Sequence, residues 1–232
     1  MVLCVPPRAL LELAPRVAAA VRPGALVTDV ASTKVQVVAR YRALLAGRAR
    51  YVGGHPLAGS ERSGFAAARA DLFRGATWFL TPTGDGDRAD AAALARWVRK
   101  LGARPAVLAP EEHDALLAAT SHLPQLTSSA LAAAVAQILR RADPPHRLPP
   151  RRLVGSGYRD TTRLAASDPA LWVDIALTNA DNIVGALDAL LEQLGALRAL
   201  MVRRDAQGLR EWLERARAAR QAAVPFAREE GS

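Results

Sequence analysis

A single histidine is held in a stiff turn within the segment YVGGHPLAGSERSG, residues 51–64. His55 lies between Gly54 and Pro56, directly after a short apolar run that is typical of a strand. Glycine allows close backbone approach or a positive φ, and proline stiffens the turn. A neutral imidazole held there can accept a proton from a substrate hydroxyl near pH 7. A structural histidine is the commoner case, so the segment alone leaves both roles open.

Polar residues also follow the preceding predicted strand, in the segment TDVASTK. Residues 26–30 form this strand, and Asp29, Ser32 and Lys34 lie at its carboxyl end. Ligands bind at that end of the strands in open α/β sheets, which makes these residues candidates for a binding site. The alternative is an ordinary strand-to-helix turn in which Ser32 or Thr33 caps the next helix.

Two segments of the second half carry groups that could bind an anionic substrate. In TSHLPQL, Pro124 interrupts a helical pattern, and His122 and Gln125 lie about one turn apart on one face. In GSGYRDTTRLAASDPALW, Arg159 and Arg163 follow a glycine-containing turn, and arginine clamps carboxylates through two parallel hydrogen bonds. The alternatives are a core or surface histidine and a solvated loop with local ion pairs.

The elements that must position these residues fall into two regimes. Over residues 1–109, the β-type runs VLCV, ALVTDV, RYVGG, TWFLTP and RPAVL alternate with alanine-rich helical stretches. This alternation predicts a parallel α/β sheet with crossover helices. Residues 110–232 show long helical patterns without a convincing strand, so they predict an all-helical domain, broken at the segment RADPPHRLPPRRL. Long apolar stripes in this half predict a homodimer.

Composition excludes several classes of protein. Half of the 232 residues are apolar, which is enough for a proper core. A net charge of +9 suggests nucleic-acid binding, but Lys34 and Lys100 are the only lysines and the arginines are scattered singly, so we expect no nucleic-acid partner. No long uncharged apolar run or basic leader occurs, which predicts a soluble cytoplasmic protein without a membrane partner. Cys4 is the only cysteine, so neither an intramolecular disulfide nor a thiolate metal cluster can form.

The order of the segments resembles that of a known enzyme family. VTDVASTK, YVGGHPLAGSERSG, DLFRGATWFLTP, HDALLAATSHLPQL and GYRDTTRLAASDPALWVDIALTN follow one another as in the prephenate dehydrogenases of tyrosine biosynthesis. The resemblance extends from Val2 to about Arg203. It implies a partial Rossmann-type domain, then an all-helical dimerisation domain. It also implies NAD(P)-dependent oxidative decarboxylation of prephenate, or of arogenate, in a homodimer.

The resemblance also implies roles for individual residues. His55 would take the proton of the substrate hydroxyl, and Ser32 would hydrogen-bond to the same hydroxyl. The implied substrate-binding residues are Ser60, Glu61, His122, Gln125, Arg159, Arg163 and Trp172. Gln125 stands where other members have a second histidine. The implied cofactor-binding residues are Pro6, Asp29 and Ser32, with NAD or NADP as cofactor and no metal.

One feature of the family is missing from the sequence. Members normally begin with a strand, a glycine-rich turn and its helix, but no G-x-G-x-x-G turn occurs here. We therefore expect an N-terminally truncated form of a full enzyme. The alternative is a non-catalytic homologue that binds prephenate or tyrosine, or that partners a complete subunit. A dehydrogenase of β-hydroxy acids or pyrroline carboxylate would share the general build, but it would leave RDTTRLA without a role.

Overall fold

The structure is a computed structural model that describes residues 1–59, 68–141, 149 and 152–223. Backbone contacts divide the chain into two compact units, Met1–Ile183 and Val184–Ser232. The first unit contains both sheets and every candidate site residue that the structure describes.

A three-stranded parallel sheet opens the first unit. Its elements in chain order are β1 (Val2–Leu3), α1 (Pro7–Ala20), β2 (Leu26–Asp29), α2 (Val35–Leu45) and β3 (Arg50–Tyr51). β2 is the central strand and pairs in parallel with both neighbours. The apolar faces of both helices bury Leu10, Val17, Val37 and Tyr41 against the sheet. This packing fixes the carboxyl end of β2, where the candidate residues begin.

A second three-stranded sheet follows. It consists of β4 (Gly53–Pro56), β5 (Thr77–Thr81) and β6 (Arg104–Val107), with α3 (Arg88–Lys100) before β6. β5 and β6 are parallel, as predicted, but β4 runs antiparallel to β5. The predicted strand RYVGG is divided into two strands, β3 and β4. The backbone N–H of Val52 donates to the first sheet, and Gly53 begins the pairing with Thr81 in the second sheet. These pairings correct the expectation of parallel pairing throughout, while the α/β class of this half is confirmed.

The glycines of β4 are required by close approach. Gly53 and Gly54 both have negative or extended φ, so the left-handed alternative does not apply. A Cβ at Gly54 would lie 2.5 Å from the backbone oxygen of Asp29 and 3.0 Å from Oγ1 of Thr28. A Cβ at Gly53 would lie 3.2 Å from Cδ of Lys34. Glycine therefore lets β4 pass directly over the end of β2, which brings His55 to the predicted site.

Alanine at Gly54 is expected to destabilise the protein by about 1–3 kcal/mol, the usual cost of forcing a group into a packed interior. The new methyl group would meet backbone, which cannot rotate away. Alanine at Gly155 is the matched control, because a Cβ there meets nothing within 4 Å and its φ is −90°. Urea unfolding of both variants measures the difference, and equal stability would contradict the close approach.

The described residues after Val107 form helices and the turns between them, and none of them forms a strand, which confirms the predicted helical half. The elements are α4 (Pro110–Leu117), a π turn (Ala118–His122), α5 (Leu123–Arg141), α6 (Ser156–Thr162), a 3₁₀ turn (Arg163–Ala166), α7 (Pro169–Thr178), α8 (Ala180–Val202) and α9 (Ala206–Ala223). Pro124 does not break the helix, because the wider π turn directly before it accommodates the residue that has no N–H.

The second unit begins within α8 and includes α9. Several large apolar side chains of this unit are exposed, namely Leu191, Leu194, Met201, Val202 and Leu213. Within residues 1–59, 68–141 and 152–223, no helix combines the length and apolarity needed to cross a bilayer.

Candidate active site

A cavity of about 640 Å³ lies in the first unit. The loop after β2, the end of β4, the π turn, the start of α5, the 3₁₀ turn and α7 all contribute to its wall. Six of the residues singled out from the sequence line it, namely Ser32, His55, His122, Gln125, Arg163 and Trp172. Residues far apart in the chain thus share one cavity large enough for a small organic acid.

His55 is connected behind the cavity to a second histidine and a carboxylate. Its Nδ1 lies 2.9 Å from Nε2 of His113, and Nδ1 of His113 lies 2.8 Å from Oδ1 of Asp114. His55 is 8% exposed, while His113 and Asp114 are buried. Burial holds the pKa of His55 well below 6.5, and the neighbouring charge of Lys34 lowers it further. His55 is therefore neutral at pH 7 and able to accept a proton.

Asp114 also joins α4 to the start of α2. Its Oδ1 accepts the backbone N–H of Lys34, and its Oδ2 accepts that of Val35, each at 2.8 Å. A carboxylate at a helix N-terminus satisfies N–H groups that have no partner within the helix and interacts favourably with the helix dipole. The side chain of Asn179 donates to the backbone oxygen of Asp114 at 2.8 Å. The position of Asp114 is thus fixed from three elements.

A buried ion pair lies directly under β4. Nζ of Lys34 donates to Oδ1 of Asp29, and also to the backbone oxygen of Gly54 at 2.7 Å. The hydroxyl of Tyr51 donates to Oδ2 of Asp29. Burial lowers the pKa of Lys34 from 10.5, and the charge of Asp29 opposes that shift. The predicted contact of Asp29 with a cofactor is not supported, because this carboxylate is fully buried and occupied by internal donors.

His122 is buried at the end of the π turn and lines the same cavity. Its Nδ1 lies 3.2 Å from Nδ2 of Asn179, and its ring meets that of Trp172 edge-on at 6.0 Å. Burial lowers the pKa of His122 from 6.5 to about 4. The residue is therefore neutral at physiological pH, and it offers the substrate a polar group without a charge.

The depressed pKa of His122 makes the stability of the protein depend on pH. In the unfolded chain this histidine takes up a proton near pH 6.5, whereas the folded protein excludes the proton until about pH 4. Its contribution to stability is complete above pH 6.5 and is lost as the pH falls toward 4. Replacing His122 with glutamine is expected to flatten the stability curve in this window by up to about 1.4 kcal/mol per pH unit. Urea unfolding at several pH values measures the slope, and parallel curves would contradict the assignment.

Gln125 holds the turn that carries Arg163. Its Nε2 donates to the backbone oxygen of Leu164 at 2.6 Å, and its Oε1 accepts from the hydroxyl of Ser167 at 3.3 Å. One turn further on α5, Oγ of Ser128 accepts the backbone N–H of Ala165 at 3.1 Å. Both ends of the Gln125 amide are thus engaged with the segment that positions Arg163 beside the cavity.

The remaining predicted site residues are not at the cavity or fall outside the described residues. Arg159 is exposed on α6, where its guanidinium donates to the backbone oxygen of Val154, and it does not line the cavity. Pro6 lies three residues after β1, at the N-cap of α1, where it is exposed and likewise off the cavity wall. Ser60 and Glu61 lie outside the described residues.

Sequence reasoning placed Lys34 at the candidate site but did not assign His113, Asp114 or Asn179 to it. A usable signal existed for two of them, since the buried residues of α4 are Pro110, His113, Asp114 and Leu117. This i, i+3, i+4, i+7 spacing marks an inward face of a helix. The spacing could have shown that His113 and Asp114 point inward, although not what they contact.

The hydrogen-bonding groups at the end of β2 indicate which part of a dinucleotide cofactor the described residues could bind. The backbone N–H of Ala31 donates to Asp29, and the hydroxyl of Thr33 is shared with that of Thr178. Ser32, together with His55, remains available to a nicotinamide ring at the cavity. A pyrophosphate normally needs the N–H groups of a glycine-rich turn, and the sequence contains no such motif. Among the residues described, Ser32 and His55 at the cavity fit the nicotinamide end of the cofactor.

Metal ligands do not cluster at this site. Over the described ranges, no group of three or more His, Cys, Asp and Glu side chains is arranged to hold a metal ion.

Comparison with known proteins identifies relatives over nearly the whole chain. The family model described as the prephenate dehydrogenase nucleotide-binding domain matches residues 1–107, and that described as the prephenate dehydrogenase dimerization domain matches residues 109–215. The chain is 34% identical to the prephenate dehydrogenase of Bacillus subtilis over 83% of its own length. It is also 34% identical to the cyclohexadienyl dehydrogenase of Zymomonas mobilis over 95% of its length.

A solved structure shows the same fold. The prephenate dehydrogenase of A. aeolicus, in complex with hydroxyphenyl propionate and NAD+, superposes with a TM-score of 0.85 at 31% identity, covering 96% of this chain and 76% of that one. The chain spans 50% of the length of the B. subtilis protein and 73% of that of the Z. mobilis protein.

Proposed function

The chain belongs to the prephenate dehydrogenase family, and from that premise we propose that it catalyses the NAD(P)-dependent oxidative decarboxylation of prephenate to 4-hydroxyphenylpyruvate in tyrosine biosynthesis. The observation that carries the proposal is the shared cavity, in which neutral His55 lies with Ser32 and Arg163. These residues supply a base, a hydroxyl partner and a cation for a carboxylate. Arogenate presents the same ring and is the alternative substrate.

One base is sufficient for the reaction, because the proton that it takes from the substrate hydroxyl is later returned to the same oxygen. Ser32 and His55 would lie beside the nicotinamide end of NAD(P), which would supply the acceptor for the hydride of the ring carbon that bears the hydroxyl group. His55 takes the hydroxyl proton, so that this oxygen becomes a carbonyl oxygen. The ring carboxylate then leaves as carbon dioxide, and its bonding electrons complete the aromatic ring. The oxygen recovers its proton as a phenol, and His55 is neutral again.

The other residues orient the substrate around this base. Ser32 hydrogen-bonds to the reacting hydroxyl and keeps it directed at His55. Arg163 binds a substrate carboxylate, and Trp172 forms an apolar wall for the ring. Holding the ring between these groups is the main task of the protein, because aromatisation itself drives the decarboxylation. Gln125 contributes by fixing the turn of Arg163.

A second candidate function is that of a non-catalytic homologue of the same family. A non-catalytic homologue would retain the cavity, bind prephenate or tyrosine, and partner a complete subunit. In both cases we expect a cytoplasmic homodimer. The match to the dimerization-domain model and the exposed apolar residues of α8 and α9 support this expectation.

One pair of measurements separates the two functions. The purified chain is mixed with prephenate and NAD or NADP, and the absorbance of reduced nicotinamide is followed. Prephenate binding is measured in parallel by calorimetry. Turnover supports the enzyme, whereas saturable prephenate binding without turnover at any dinucleotide concentration supports the non-catalytic homologue. Tyrosine binding is measured in the same way, and the absence of turnover, prephenate binding and tyrosine binding would overturn both proposals.

Alanine at Arg163 is expected to raise KM for prephenate by a factor on the order of 10–100, because a buried substrate carboxylate loses its charged partner. Lysine at this position should recover part of the loss, since it keeps the charge but not the two parallel hydrogen bonds. Arg152→Ala removes the same charge from an exposed position off the cavity wall and is the control. Steady-state kinetics measures all three variants, and a fall confined to kcat would contradict the binding role.

A further inference from the structure

We propose that Asp114 and His113 are positioning residues that set the tautomer of His55, so that its Nε2 carries a lone pair into the cavity. This inference rests on the proposed function, because it explains how His55 is prepared to act as a base. The groups involved are His55 on β4 and His113 and Asp114 on α4, which form a series of hydrogen bonds.

The direction of each hydrogen bond follows from the carboxylate. An ionised carboxylate can only accept, so Nδ1 of His113 carries the proton that it donates to Asp114 at 2.8 Å. With His113 neutral, its imidazole has a single N–H, so its Nε2 is an acceptor. That nitrogen lies 2.9 Å from Nδ1 of His55, which must therefore be the donor. Nε2 of His55 is left with its lone pair, and His55 lines the cavity.

The acceptor role of Asp114 is secured independently of the histidines. Two backbone N–H groups, of Lys34 and Val35, donate to its two oxygens. The start of α2 thus keeps Asp114 as an acceptor, and this sets the polarity of the whole series.

Packing fixes the orientation of the central ring. His113 is fully buried, and its ring meets Phe79 edge-on at 5.4 Å and His55 at 5.1 Å. His55 on β4 is paired directly with Phe79 on β5. The two residues whose rings contact His113 are therefore held side by side on adjacent strands. A ring flip of His113 would require these neighbours to move.

The charges around His55 show why a carboxylate at the end of the series matters. The titratable and charged groups that face it or line the same cavity are Lys34, His113, His122, Arg163 and Asp168, with Asp114 reached through His113. Lys34, with its Nζ 2.7 Å from the backbone oxygen of Gly54, opposes a positive charge on His55. Asp114 stabilises that charge through His113 when the substrate proton arrives.

The test reads the tautomers directly by long-range proton–nitrogen correlation NMR on the ¹⁵N-labelled chain. The chain has four histidines, so single substitutions assign every imidazole signal. In the wild-type protein near pH 7, His55 and His113 are both expected as the Nδ1–H form. In His113→Phe, which removes the acceptor, the Nε2–H form of His55 is expected to become a major population. His113→Gln offers an amide oxygen at the place of Nε2 and should restore the Nδ1–H form.

Glu112→Gln is the matched control, because it removes a charge from the exposed residue beside His113 and should leave both tautomers unchanged. An Nε2–H form of His55 in the wild-type protein would overturn the proposal, as would identical His55 spectra in wild type and His113→Phe. If His113→Phe does not fold, the wild-type and His113→Gln spectra still decide.

The tautomer measurement and the activity measurement can fail independently of each other. The tautomers are measured without prephenate or dinucleotide, so absent turnover overturns the enzyme and leaves the tautomer result standing. Where turnover is observed, His113→Phe should lower kcat by a factor on the order of 100 at nearly constant KM, and His113→Gln should recover much of that loss. A defect of packing alone would not be rescued by restoring one hydrogen-bond acceptor.

Discussion

Asparagine in place of His55 is expected to lower kcat by a factor on the order of 100 or more, with little change in KM for prephenate. In the wild-type protein, Nδ1 of His55 lies 2.9 Å from Nε2 of His113. The amide nitrogen of asparagine can occupy the place of Nδ1 and keep this hydrogen bond. It has no group at the position of Nε2, so the substrate hydroxyl loses its base. Arg163 and Trp172 still line the cavity and can hold the carboxylate and the ring of prephenate, so the affinity for prephenate should be nearly unchanged.

Steady-state kinetics with prephenate, together with calorimetric binding, measures this result. Unfolding in urea serves as the control, since His55 is nearly buried and a less stable variant could lose activity by unfolding. A variant that keeps its stability and turns over within about threefold of wild type would exclude His55 as the base. A loss confined to KM would assign His55 to substrate binding.

The sequence was sufficient for the residues whose role depends on local chain geometry. The turn around His55 and the strand end before Ser32 were both recognisable, and both residues line the cavity. The glycines of β4 were predicted to permit either close approach or a positive φ. The structure shows that close approach is the reason. A Cβ at Gly54 would clash with the backbone oxygen of Asp29, which lies 25 residues earlier in the chain.

Partners that come from distant segments were not predictable. Asp29 and Lys34 were placed at the carboxyl end of β2, where a ligand site was expected. Their burial depends on Tyr51 and on the crossing of β4, and neither follows from the pattern of β2. The antiparallel register of β4 has the same cause, since a run of four residues contains no information on which strand will pair with it.

Methionine in place of Lys34 is expected to destabilise the protein by about 3–5 kcal/mol, the usual cost of leaving one member of a buried ion pair without its partner. Lys34 and Asp29 are both fully buried, and Nζ also holds the backbone oxygen of Gly54 at 2.7 Å. The substitution keeps the length and apolar stem of the side chain, so the loss reports the charge and its hydrogen bonds. Denaturant unfolding at pH 7 measures the change.

The second lysine of the chain provides the matched control. Lys100 is exposed at the end of α3, and Lys100→Met is expected to change stability by no more than about 0.5 kcal/mol. Adding Asp29→Asn to Lys34→Met should recover part of the loss, because the unpaired charge is then removed while Tyr51 keeps an amide partner. Equal stability of the two lysine variants would contradict the buried pair. Failure of the double variant to recover would assign the loss to the bond with Gly54, and hence to the strand that carries His55.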